Sequence, residues 1–357
     1  MNRPVTIVQI AKECGVSIAT VSRVMNGTAP VAEATRERVT EAIKRHHYTP
    51  NAFARSLIKR QSMTIGVIMP DITNPYFSAM FSELEHAAHE ANYSVLLCNT
   101  AFSAGDSTRK APRELDYFQM MLDKNVDGVV VAGGQADLIT VTDAYRSALH
   151  HLASQLPVVV LGNPIDNVDC LFIQREKGQG VFSAVNYLAS LGHRHIAFVG
   201  GEQGVGITEA RLHAFLDALD TLNLPRHRDT IVLSDYYAPD GYLATKTLLS
   251  GDVPFTAMLA MNDNVALGAY RALADAGLRV PQDVSVISCD QFYSADYLIP
   301  RLTSVDQHNE LFGRFIINSL LGMIQGVKED VDLTYKPELI IRDSCASPAP
   351  ASRWRRE

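Results

Sequence analysis

The stretch that decides the fold is Thr6–Gly27, "TIVQIAKECGVSIATVSRVMNG". Thr6 is suited to cap a first short helix carrying Ile7, Ile10 and Ala11, and Gly15 supplies the sharp turn that ends it. Ser17 then caps a second helix, in which Val21 and Val24 fall three apart and pack back on the first. Ile18, Ala19, Ser22, Arg23 and Asn26 are left on the opposite face. Two helices joined by a glycine turn, the second showing small residues and an arginine, form a helix-turn-helix whose second helix can enter a major groove. On this face Arg23 can reach a guanine with two N–H donors, Ser17 and Ser22 can hold phosphates or base edges, and Ile18 and Ala19 can touch thymine methyls. The apolar mass these helices lack comes from "TRERVTEAIKRHHYTP" (35–50), with Val39, Ile43 and Tyr48 facing inward and basic side chains outward.

Charge divides the chain at the same place. Residues 1–61 hold ten Lys and Arg against four Glu, a net +6, and since the whole chain carries −7 the remainder carries −13. A basic head on an acidic body suits a protein with one end on a polyanion and the rest kept off it. The segment "YTPNAFARSLIKRQ" (48–61) has Phe53, Leu57 and Ile58 as its bulky apolar residues, too few for a helix stable alone in water. Two roles remain open for it: a plain interdomain linker, or a helix that folds against a partner helix on DNA and wedges Leu57 into a minor-groove step.

After Met63 the pattern changes to β-branched runs alternating with amphipathic stretches. "TIGVIMP" (64–70), "YSVLLCNT" (93–100), "DGVVVAG" (127–133) and "PVVVLG" (157–162) make one series, and "HIAFVGG" (195–201), "TIVLSD" (230–235), "AMLAMND" (257–263) and "VSVISCD" (284–290) a second. Such alternation predicts two doubly wound parallel-sheet subdomains, with a ligand held between them beyond the carboxyl ends of the strands. The residues at those ends are Asp71, Asn74, Tyr76, Phe77, Gly162, Asn163, Tyr236, Asn262, Asp263 and Asp290. Carboxylates and amides for hydroxyls, with aromatic faces for the apolar side of a ring, suit a sugar-like ligand; Asp263 reads instead as a helix cap or turn residue.

The segments "VTIVQIAKECGVSIATVSRVMNG" (5–27) and "TRERVTEAIKRHHYTPNAFARSLIKRQSMTIGVIMPDITNPYF" (35–77) closely resemble the lactose/galactose repressor (LacI/GalR) family of bacterial transcription regulators, and the likeness runs to about Arg342. The resemblance implies an N-terminal all-α helix-turn-helix DNA-binding head on an α/β core like the periplasmic sugar-binding proteins. It implies that the matches to Ile18, Ala19 and Arg23 read operator bases and that the match to Leu57 is an intercalating hinge leucine. The expected DNA-binding set is Thr6, Ser17, Ile18, Ala19, Thr20, Ser22, Arg23, Asn26, Asn51, Ala54, Arg55 and Leu57. Arg211 in "EARLHAF", Asn262 in "AMND", Asp290 in "ISCDQF", Tyr236 in "LSDYY" and the pair Tyr76–Phe77 fall on effector-pocket positions of the family.

Four departures stand out. Ala32 replaces a serine that usually caps the third helix, leaving Thr35 to cap it or the helix to fray. "SCDQF" lacks the second acid of the commoner form. Gly162 sits where some members carry an acid, which implies a different sugar orientation. The stretch "AFSAGDSTRKAPRE" (101–114) is longer than the usual connection there and has no functional account.

The expected domains are a head over 1–50, a hinge over 51–62, and an effector and dimerisation domain over 63–343. Within that domain the first subdomain takes about 63–162 plus 303–326, with "RLTSVD" as its crossover strand, and the second about 163–302 plus 327–343. The Pro/Ala/Ser-rich 344–357 is expected to be a disordered tail, and it has no apolar heptads for a tetramerising coil.

Other classes are disfavoured. No GK[ST], GxSxG or HExxH is present, and the glycines of "VGGEQGVG" (199–206) are not in GxGxxG order. The histidines, including the pairs at 46/47 and 150/151 and "HRH" at 193–195, show no metal spacing and read as solvated surface. The five cysteines lack CxxC spacing and read as reduced thiols. No catalytic residue, cofactor or metal is therefore expected. A transport-type binding protein would share the body, but it needs an export signal in place of a basic head; without that signal or a membrane span the chain is expected in the cytoplasm. The expected protein is a dimeric repressor on a palindromic operator, released by a mono- or oligosaccharide whose closure of the cleft separates the hinge helices and withdraws Leu57. The alternative is a corepressor-type regulator responding to a purine or nucleoside, with the opposite sign.

Overall fold

The computed structural model describes residues 5–27, 29–46, 48, 61–100, 113–174, 178–327 and 336–348, and the chain divides after Met63 into two compact units. In the first unit, helix α1 (Ile7–Cys14) is capped reciprocally: the Thr6 hydroxyl accepts from Gln9 N, and Gln9 Oε1 accepts from Thr6 N at 2.8 Å. Two backbone donors left open at a helix start are thereby satisfied. Gly15, at φ 62, ends α1 and turns the chain. Helix α2 (Ile18–Asn26) starts on the Ser17 hydroxyl, which accepts from Thr20 N at 3.1 Å. Helix α3 (Glu33–Arg45) completes a small core in which Ile10, Ala11, Cys14, Val21, Val39 and Ala42 are buried, with Val24, Ile43 and Tyr48 packed against them. Thr35 does not cap α3 and its start is not frayed. The helix runs from Glu33 with Ala32 as an N-cap that makes no side-chain bond, and the Glu33 carboxylate instead complements the positive end of the helix dipole.

The second unit holds two sheets, parallel throughout except for the antiparallel edge strand β11 of the second. Strands β1 (Thr64–Met69), β2 (Ser94–Asn99), β3 (Gly128–Ala132), β4 (Val158–Leu161) and β5 (Leu171–Ile173) run in the order β2-β1-β3-β4-β5. Helices α4 (Pro75–Glu90), α5 (Arg113–Asp123) and α6 (Asp143–Gln155) connect them. After α7 (Gln179–Ser190) comes the second sheet, ordered β11-β10-β9-β8-β6-β7, from β6 (Ile196–Val199), β7 (Ile231–Val232), β8 (Ala257–Ala260), β9 (Ser285–Ser288), β10 (Thr303–Asp306) and β11 (Glu338–Ile340). Its helices are α8 (Gly206–Thr221), α9 (Ala238–Ser250) and α10 (Asp263–Asp275). The buried runs "VVV" of β3 and β4 and "AFV" of β6 are the near-continuous apolar strands that a sheet covered on both faces requires.

Two expected boundaries move. β5 pairs with β4, so the first half extends to Ile173 rather than ending at 162. β10 pairs with β9 and β11 and belongs to the second half, not the first. The chain crosses after it, through Gln307 and His308, and α11 (Asn309–Gln325) then packs on α4 and β3 of the first half. A strand pattern shows that a segment is extended and buried, not which of two similar sheets takes it, and "RLTSVD" fits either.

Residues 344–346 are not a disordered tail. Ser344 Oγ donates to Val286 O at 2.6 Å and accepts from Thr303 N at 2.8 Å, and Ala346 N donates to Ser285 Oγ at 3.0 Å. His193, expected at the surface, is 1% exposed beneath them. Its ring meets Thr256 Oγ1 at 2.8 Å and Ala346 O at 2.9 Å, and burial pushes its pKa down. Short polar side chains in a Pro/Ala/Ser-rich segment made these bonds invisible to composition. Of the 101–114 stretch, Arg113 and Glu114 open helix α5, and the rest lies outside the described residues.

Candidate functional site

The head presents the face that its sequence describes. Val21 is fully buried against α1, which turns Ser17, Ile18, Ala19 and Arg23 outward to exposure, with Thr20 and Ser22 half-buried beside them. Ile18 is 48% exposed at the start of α2, where its apolar end is available to a thymine methyl. The Ser17 hydroxyl is already engaged as the cap and lies 2.9 Å from Thr20 Oγ1; Thr6 is likewise a cap. Both therefore serve first to fix helix starts, whose remaining N–H groups suit phosphate. The basic side chains of α3, Arg36, Arg38, Lys44 and Arg45, are exposed, and Glu13 ties the ends of α1 and α3 through Arg45 at 3.0 Å and His46 at 2.6 Å. Asn51, Ala54, Arg55 and Leu57 lie outside the described residues, as does the side chain of Asn26.

In the second unit, the carboxyl ends of both sheets carry the predicted cleft residues. Arg211, from α8, and Asp290, after β9, form a bidentate pair at 2.8 and 2.9 Å, 4% and 6% exposed. Arg211 also donates to Met261 O at 2.8 Å, while its buried Nε has no partner among the described residues. Burial works against the guanidinium charge, but the Asp290 carboxylate outweighs it and keeps the pKa above its ordinary value. Tyr76 of the first half lies within electrostatic reach of this guanidinium and packs edge-on against Phe77, ring centroids 5.0 Å apart. The Tyr236 phenol is hydrogen-bonded to Thr208 Oγ1 at 2.8 Å, and burial raises its pKa.

The remaining predicted residues are bound into the protein. Asn74 and Asn262 are the N-caps of α4 and α10, and Asn262 Nδ2 also donates to Tyr236 O at 3.1 Å. Asn163 is exposed and accepts from Gln174 at 2.8 Å. The Asp71 carboxylate accepts from Thr73 N, Thr73 Oγ1 and the Tyr237 hydroxyl. At Gly162 a Cβ would lie 2.5 Å from Ala136 O, so no side chain fits there, and the glycine answers to that close approach rather than to a ligand's orientation. The cap at the start of α10 is Asn262 and not Asp263, which lies one residue inside the helix, is buried, and accepts from Phe292 N at 2.8 Å. Burial pushes its carboxyl up to about 7. Gln291, in the place of the second acid, accepts from Arg342 at 3.3 Å.

Two residues were missed. Glu114 is 1% exposed and accepts from Gln135 N at 3.1 Å beneath the 3₁₀ turn Gly134–Asp137, and burial pushes it up to about 7. A glutamate in the first turn of an amphipathic helix carries no sign of burial. Tyr237 did carry a signal, as the second member of an aromatic pair at a strand end. Among the described residues no group of three or more His, Cys, Asp or Glu side chains is disposed to hold a metal ion, and no helix is long and apolar enough to cross a membrane.

Residues 6–51 match the family model "Bacterial regulatory proteins, lacI family", and residues 185–345 match "Periplasmic binding protein-like domain". The HTH-type transcriptional repressor PurR of Histophilus somni (strain 129Pt) is 34% identical over 342 residues, covering 95% of this chain and 98% of the relative. The PurR of Edwardsiella ictaluri is 33% identical over 357 residues, covering 98% and 99%. Among solved structures, the lac repressor dimer bound to operator and the anti-inducer ONPF matches with a TM-score of 0.83 at 26% identity, over 96% of this chain and 100% of that one. A LacI family regulator from Enterococcus faecium with bound ribose matches with a TM-score of 0.67 at 30% identity, over 80% and 100%. The chain belongs to the lacI family of bacterial regulatory proteins. It is a DNA-binding transcriptional repressor of that family, with the helix-turn-helix head and two parallel-sheet halves that define it.

Proposed function

We propose that the cleft takes a purine base or nucleoside, and that its occupancy strengthens the grip of the head on operator DNA. The observation that carries this is the commitment of the hydroxyl-recognising groups: Asp71 and Asn262 spend their polar atoms on the protein's own side chains and backbone, Asn74 caps its helix start, and the Asn163 carbonyl accepts from Gln174. The Arg211–Asp290 pair is engaged too, but it is buried, it keeps an Nε with no partner among the described residues, and it has Tyr76 within electrostatic reach, whose ring packs on Phe77. A planar heterocycle matches that set, stacking on aromatic faces while its ring N–H and carbonyl edge meet a carboxylate and a guanidinium. The same effector class is supported by relatives named PurR, purine repressor, at up to 34% identity over nearly their full length.

The sugar ligand expected from the sequence remains as a second reading, favoured by the ribose-bound regulator from Enterococcus faecium. Calorimetric titration of the full chain with guanine, hypoxanthine and adenine, and separately with ribose, glucose and galactose, decides between them. Heat with a purine and none with the sugars is the expected result; heat with a sugar alone overturns it. The proposal extends to a cytoplasmic homodimer on a two-fold symmetric operator, since symmetric half-sites mirror a two-fold protein, and to a protein that binds its effector without transforming it.

A further inference from the structure

Within the second unit, the places where described residues join the two halves across the cleft include two hydrogen-bonded contacts. At one, the Tyr237 hydroxyl, just ahead of α9 in the second half, donates to Asp71 Oδ2, just past β1 in the first. Asp71 is held for this by Thr73, whose N–H and Oγ1 donate to its Oδ1 at 2.9 and 2.7 Å. At the other, Ile139 N donates to Gly204 O at 3.0 Å, and Leu138 bridges to Val205. The segment making this second contact leaves the turn that Glu114 anchors. Burial, and then the carboxylates of Asp71, Asp235 and Asp240, keep the Tyr237 phenol protonated and so a committed donor.

We propose that Tyr237 and Asp71 are a latch of the effector cleft, a positioning pair that sets effector affinity by stabilising the closed arrangement of the halves without touching the effector or DNA. The proposal rests on the cleft being the effector site. A hydrogen bond across a hinged cleft exists only when the halves meet, so its free energy enters the closure equilibrium, and a ligand bound by the closed form gains or loses apparent affinity with it. Tyr237 is suited to this because its donor is rigidly carried on a ring at the start of a helix, while Asp71 is oriented by its own turn. A hydrogen bond to an ionised acceptor, half-exposed as this one is, corresponds to about a tenfold change in the closure constant.

The test uses the full chain, as wild type, Tyr237→Phe, Asp71→Ala and the double variant. Hydrogen exchange of the Ile139 amide reports closure directly, because its acceptor, Gly204 O, lies on the other half. Exchange is expected to speed about tenfold in each single variant and no further in the double, with the β3 amides of Val129 to Val131 unchanged. Guanine and hypoxanthine, as probes, are expected to bind about tenfold more weakly to each single variant and no worse to the double. Wild-type exchange in both single variants, effects that multiply in the double, or equal acceleration in β3 would each overturn the latch. Absence of purine binding by the wild type would overturn the purine reading instead, while the exchange rates still decide the latch.

Discussion

Replacing Arg211 by methionine removes one member of a buried ion pair and leaves the other. Asp290 is 6% exposed and receives two guanidinium N–H bonds, at 2.8 and 2.9 Å, so in Arg211→Met its carboxylate is stranded in a low-dielectric site. Breaking a buried pair in this way costs about 3–5 kcal/mol. At about 2 °C per kcal/mol for a unit of this size, the body should melt about 6–10 °C lower. Asp290→Leu should do the same by stranding the guanidinium. The double variant Arg211→Met/Asp290→Leu removes both charges and should regain most of the loss, because buried pairs can be replaced by apolar residues at little net cost. Scanning calorimetry of the full chain measures all three. Function should separate from stability: the double variant, though stable, should not respond to effector, while its basal operator binding stays at the wild-type level. A single variant melting within about 2 °C of wild type, or a double variant melting below both singles, would refute the reasoning.

Glu114→Gln tests the buried carboxyl beneath the 134–137 turn. Its folded pKa is raised from 4.5 to about 7, so the folded state holds the proton more tightly, and the wild type loses stability as pH rises from about 4.5 through 7. The shift corresponds to about 3 kcal/mol; denaturant melts should show the variant gaining on wild type by up to that amount at pH 8 and matching it at pH 4.5. Gly162→Ala places a methyl against Ala136 O and should cost about 1–3 kcal/mol by overpacking, read in the same melts. Arg23→Ala should forfeit about 1–3 kcal/mol of discrimination between operator and random DNA, measured by competition, with effector affinity unchanged.

Much of the fold was legible because its signals are local. Thr6, Gly15 and Ser17 mark helix ends by residue type alone, and the spacing of Val21 and Val39 places them in the head core. The strand series likewise appears as two parallel sheets. What was not legible depends on partners distant in sequence: which sheet receives Thr303–Asp306, how His193 and Ser285 fix Ala346, and that Glu114 is buried. The cleft was half legible. Arg211 and Asp290 lie where expected, but a residue type at a strand end does not reveal whether its polar atoms are already engaged. Asn74 and Asn262 proved to be helix caps, and the Asn163 carbonyl is taken by Gln174.

The central claim is that occupancy of the cleft sets the grip of the head on DNA. The most direct test selects the operator from sheared genomic DNA with the purified chain, then measures operator affinity with and without saturating guanine or hypoxanthine, and purine affinity with and without operator. The account predicts a palindromic site, tighter operator binding with purine, and purine affinity raised by the same factor when operator is bound, as linkage requires. Operator affinity unmoved by a purine that the cleft demonstrably binds would contradict it.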